Sequence, residues 1–65
     1  MDKIIKEAAE LCIEKDKAMC GMLQRHFRIG YLKAFEIMQE LEKLGVVECG
    51  KVKITKEEWE KMKDE

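Results

Sequence analysis

The 65-residue chain has two arginines, Arg25 and Arg28, three positions apart, with His26 between them, Lys17 before and Lys33 after. Such groups bind anions, and phosphate above all, because a guanidinium offers five donors in a fork that matches phosphate oxygens. No acid interrupts residues 17–35. That block carries +4, against −2 over residues 1–16 and −3 over residues 36–65, within a net charge of −1. A cationic island between acidic flanks is an electrostatic footprint for nucleic acid; chance clustering, or pairing of the arginines with Glu10 or Glu14, is the plain alternative.

The other reactive groups point to less. Cys12, Cys20 and Cys49 have seven and twenty-eight residues between them and no CxxC. Even with His26 they match no common zinc module, so reduced free thiols are expected, with no metal and no cofactor. The single histidine lies in no Ser/His/Asp or Cys/His signature, and there is no GxxxxGK[ST] phosphate loop. An enzyme is not expected. No apolar run approaches the ~20 residues of a membrane span, and the N-terminus MDKIIKEAAELC lacks a signal-peptide pattern. A cytoplasmic protein without a membrane partner is the expectation. The initial Met1 and the closing Lys-Met-Lys-Asp-Glu suggest a free-standing protein or a trimmed segment.

The length allows one domain, residues 1–65, with a core that needs every large apolar contact. Ile4, Ile5, Ala8, Leu11 and Cys12 recur at helical spacing and predict a first helix over about residues 2–15, with Asp2 as N-cap. Met22, Leu23 and Phe27 place a short helix over 20–27. Gly30 then interrupts, with the backbone freedom a tight turn wants. A third helix runs from Tyr31 to Leu44 and stops at Gly45. On it Ala34, Ile37, Met38, Leu41 and Leu44 share one side, while Leu32, Glu36, Gln39 and Lys43 point away.

Val46-Val47, a turn at Cys49-Gly50, and Val52 and Ile54 alternating with Lys51 and Lys53 read as a two-stranded hairpin. Thr55 with Glu58 is a capping box that opens a last helix, on which Trp59 and Met62 share a face. Trp59, Met62, Met19, Met22 and Met38 are expected in the core. The order of elements is that of a mostly α winged helix-turn-helix: a three-helix core, a hairpin wing and an extra C-terminal helix.

The segment Leu23-Gln24-Arg25-His26-Phe27-Arg28-Ile29-Gly30-Tyr31 resembles the turn of the gamma domain of FtsK/SpoIIIE-type DNA translocases. Glu42-Lys43-Leu44-Gly45-Val46-Val47 resembles the end of that family's recognition helix, and Glu7 to Ile13 its first helix. The resemblance spans roughly residues 4–48. It implies a winged helix on double-stranded DNA, recognition of short G-rich sequences, and contact with the XerD recombinase.

On this reading the third helix enters the major groove. Gln24, Arg25, His26, Arg28, Tyr31 and Lys33 then face DNA, with Lys51 and Lys53 on the wing. Tyr31 has core packing as its alternative, and the two wing lysines have a plain solvent face. Where the family reads Tyr-Asn-Arg-Ala-Ala-Arg, this chain reads Tyr31-Leu32-Lys33-Ala34-Phe35-Glu36. Leucine makes no hydrogen bond to a base edge, and lysine lacks the arginine fork. Leu32 and Phe35, with Glu36 beside them, are a protein-contact spot in the alternative reading, that of an interaction or dimerisation module. The two apolar residues also suit thymine methyl groups. Monomer and homodimer both remain open.

Overall fold

In a computed structural model that describes residues 2–63, the first apolar stripe forms α1 (Lys3–Lys15). It is followed by α2 (Cys20–Phe27), α3 (Tyr31–Lys43), the strands β1 (Val47–Glu48) and β2 (Lys51–Val52), and α4 (Lys56–Lys63). Asp2 takes the N-cap position of α1 in extended backbone, but its side chain makes no cap bond. Its carbonyl accepts from the Lys6 N–H at 3.1 Å instead. The capping box of α4 forms in both directions. The Glu58 N–H donates to Thr55 Oγ1 at 3.2 Å, and the Thr55 N–H to Glu58 Oε1 at 3.3 Å.

The first three helices end in the same way. Each leaves open carbonyls, and a left-handed residue lets the chain fold back onto one of them. The Lys17 N–H reaches the Cys12 carbonyl at 3.1 Å, Ile29 reaches Gln24 at 3.2 Å, and Val46 reaches Leu41 at 3.0 Å. The left-handed residues are Asp16, Arg28 and Gly45, with φ of 55°, 56° and 81°. The expectation for Gly30 is therefore corrected: its φ is −76°, ordinary extended backbone. The reversal between α2 and α3 happens two residues earlier, at Arg28, because the carbonyl to be closed is that of Gln24. By Gly30 the chain is already entering α3.

Ala8, Cys12, Leu23, Ala34, Leu41 and Val46 are wholly buried. Trp59, 1% exposed, is the largest of the fully buried side chains, and α4 packs it against α1. Met62 is half-buried beside it. One core expectation, Met19, fails, and the core alternative for Tyr31 is excluded. Met19 is 50% exposed, because the extended link before α2 turns its neighbour Ala18 inward and Met19 outward. Tyr31 is 59% exposed, since the first turn of α3 projects beyond the core. Of the remaining methionines, Met38 is buried and Met22 half-buried.

The hairpin pairs Val47 with Val52 and Glu48 with Lys51, antiparallel. The Lys53 N–H extends it by a bond to the Val46 carbonyl at 2.8 Å. Both residues of its two-residue turn are left-handed, Cys49 at φ 52° and Gly50 at φ 78°, which matches the twist of the strands. The Gly50 carbonyl accepts from the Ala18 N–H at 3.2 Å, so the turn is tied to the link that leads into α2. Helix, helix, turn, helix and short wing make this a winged helix-turn-helix.

Candidate nucleic-acid interface

The last turn of α2 carries Arg25 and His26, and the Arg25 guanidinium offsets the negative end of the helix dipole. Arg28 follows at the corner, and all three side chains are exposed. The His26 ring meets Phe27 edge-on, with centroids 4.8 Å apart. Three ion pairs occur among the described residues: Lys43–Glu40 at 3.5 Å, Lys63–Glu10 at 3.1 Å and Lys63–Glu60 at 3.2 Å. None engages Arg25, Arg28 or Lys33. Glu10, a partner considered for the arginines, instead accepts from Lys63 and from Trp59 Nε1 at 3.3 Å. Those two donors hold its carboxyl below the ordinary carboxylate range, the Lys63 bond contributing most.

No side chain caps the start of α3, where Gly30 is the N-cap, so the first N–H groups of the helix are open to an acceptor. Its outer face is apolar near the start and polar beyond. Leu32 is 76% and Phe35 44% exposed, and the Tyr31 ring stacks on Phe35 at 6.2 Å and 17°. Glu36 and Gln39 lie exposed further along. Lys33 and Glu36 line the groove between α3 and the first residues of α1. Gln39 stands seven positions after Leu32 and so shares its face.

Arg25, His26, Arg28 and Tyr31 thus lie around one corner, while Lys51 and Lys53 belong to the hairpin. Both of those lysines are exposed, with Val52 and Ile54 half-buried between and after them. Lys51 stands opposite Glu48 in the register. Gln24 is half-buried, and its carbonyl closes the end of α2. Among the thiols Cys12 is buried, Cys20 partly so and Cys49 exposed. Burial pushes the Cys12 thiol up to about 11.

A family model described as the FtsK gamma domain matches residues 1–53 of this chain. The chain belongs to the FtsK gamma domain family. Among similar curated proteins are the DNA translocase FtsK of Listeria monocytogenes, 48% identical over 46 residues, and the DNA translocase SpoIIIE of Bacillus subtilis, 44% identical over 46 residues. Each alignment takes in 71% of this chain. The FtsK of Chlorobaculum tepidum is 37% identical over 49 residues, 75% of the chain. In every case the matched stretch is 6% of the relative's length. No solved structure matches the sequence. The gamma-domain match includes α1 to β2 and stops before α4, the helix that brings Trp59 into the core. Among the described residues no helix is long and apolar enough to cross a membrane.

Proposed function

We propose that this gamma domain binds double-stranded DNA as one unit, residues 1–65, with α3 in the major groove. Arg25 and Arg28 contact phosphates on one side, and the open start of α3 takes a further phosphate. Lys33, Lys51, Lys53, His26, Gln24 and Tyr31 add attraction around that core contact. The observation that carries the reading is the acid-free 17–35 block, whose two arginines stand exposed with no carboxylate partner among the described residues. The translocase names of the relatives support a DNA ligand, and a cytoplasmic domain accords with that ligand.

The test is a mobility-shift titration of duplex DNA across salt concentrations. Arg25→Ala weakens binding severalfold on every sequence and lowers the salt slope by about 1, the value for one lost phosphate contact. Absence of any shift at low salt overturns the proposal. A second reading follows from the exposure of Leu32 and Phe35: α3 docks a protein, a recombinase or a second copy. It requires that changing both to serine abolishes a complex or a homodimer.

A further inference from the structure

Resting on that DNA reading, we infer that the outer face of α3 selects A·T base pairs through their thymine methyl groups, in place of the G-rich sequences the family resemblance implies. The residues that a groove-docked α3 turns toward base edges are Leu32, Phe35, Glu36 and Gln39, all exposed. None of them is an arginine, the side chain that most often reads guanine O6 and N7. Leu32, the most exposed large apolar residue among the described residues at 76%, has no polar atom to offer. The one apolar feature of the major groove is the C5-methyl of thymine, and apolar side chains read it by contact.

Gln39 agrees with this. An amide such as Gln39 bonds adenine N6 and N7 in a matched pair, and every A·T step presents adenine together with the methyl. Glu36 only accepts, so it takes the amino group of adenine or cytosine alike; it excludes guanine on the strand it faces and does not itself separate A·T from G·C. The surroundings favour DNA over a protein as occupant of this apolar spot. Arg25, Arg28 and Lys33 flank it, exposed and outside the three ion pairs, and their charge complements the two phosphate rows that border a groove.

The test starts with the full chain and a random duplex pool, selected at about physiological salt. The expected sites are A·T-rich. Each thymine of a selected site is then replaced by uracil, which keeps pairing and the O4 acceptor and removes only the methyl. Affinity is expected to fall by about fourfold for each contacted methyl, the factor for one buried carbon of this kind. Leu32→Ala, at a position too exposed to threaten folding, should weaken binding to the thymine duplex and add nothing to the loss on the uracil duplex. G-rich selected sites, or affinity indifferent to uracil, overturn this inference and leave the DNA reading standing. No duplex bound at any salt overturns both.

Discussion

Arg28 occupies a backbone conformation that costs an L-residue about 1–2 kcal/mol relative to glycine. Gly45 fills the same role at the end of α3 without that cost. An exposed residue kept in a strained cap where glycine would do better is expected when the side chain has a task of its own. Arg28→Gly should therefore raise stability by about 0.5–1 kcal/mol, after allowing for the freedom glycine adds to the unfolded chain. That is several degrees in Tm for a chain this short. The same variant should bind duplex DNA more weakly. Thermal melts and a mobility-shift titration on one preparation check both; a raised Tm with unchanged binding would make Arg28 a solvated charge only.

Cys12 gives a second prediction at this scale. Its thiol is held up to about 11 by burial, whereas a thiol in the unfolded chain titrates near 8.5. The folded state keeps the proton longer, so this site's stability is intact below pH 8.5 and declines as pH rises toward 11. The decline is roughly 1.4 kcal/mol per pH unit inside that window. Melts between pH 8.5 and 10.5, run beside Cys12→Ala, should show a steeper fall of Tm in the unaltered protein. Parallel slopes would contradict the assignment.

At the scale of elements, α4 is held by a mixed contact. Trp59 is buried, but its indole N–H and the Lys63 ammonium both donate to Glu10 on α1. A carboxyl with a lowered folded pKa contributes stability above the ordinary carboxylate range and loses it as pH falls through the folded value. Acidification from pH 5 to 3 should loosen α4 and red-shift the emission of Trp59, the chain's single tryptophan. Glu10→Gln should flatten this fluorescence transition; an unchanged transition would mean that Glu10 does not govern the docking. Compared with this contact, the hairpin is a small element. It has two residues per strand, closed by a two-residue turn and tied to Ala18 ahead of α2.

For the molecule as a whole, 65 residues imply a total stability of about 3–10 kcal/mol. Removing a buried tryptophan side chain costs about 3–5 kcal/mol. Trp59→Ala should therefore lower the Tm by roughly 10–40 °C in circular dichroism melts, and a chain stopped after Thr55 should lose at least as much. Trp59→Phe should retain a transition at lower Tm. A cooperative melt near the original Tm for the chain stopped after Thr55 would show that the family-matched part, residues 1–53, folds without α4. The same smallness bears on recognition, since a domain of this size puts one helix and one corner against a duplex, and most of its attraction comes from few charges.

Periodicity by itself located the first three helices to within a residue or so. The stripes through Ala8 and Cys12 and through Ala34 and Leu41 can be buried in only one way, and Thr55 with Glu58 announces a helix start from local chemistry. The resemblance of Leu23 to Tyr31 carried the family, and the charge count marked the cationic block. Whether the arginines were already paired was beyond the sequence, because Glu10 lies fifteen positions from Arg25 and its partners Trp59 and Lys63 come from the opposite end of the chain. The turn at Arg28 in place of Gly30, and the outward positions of Tyr31 and Met19, were likewise decided by tertiary structure. Composition records which residues can take a strained or buried place; packing of one helix on another determines which of them must.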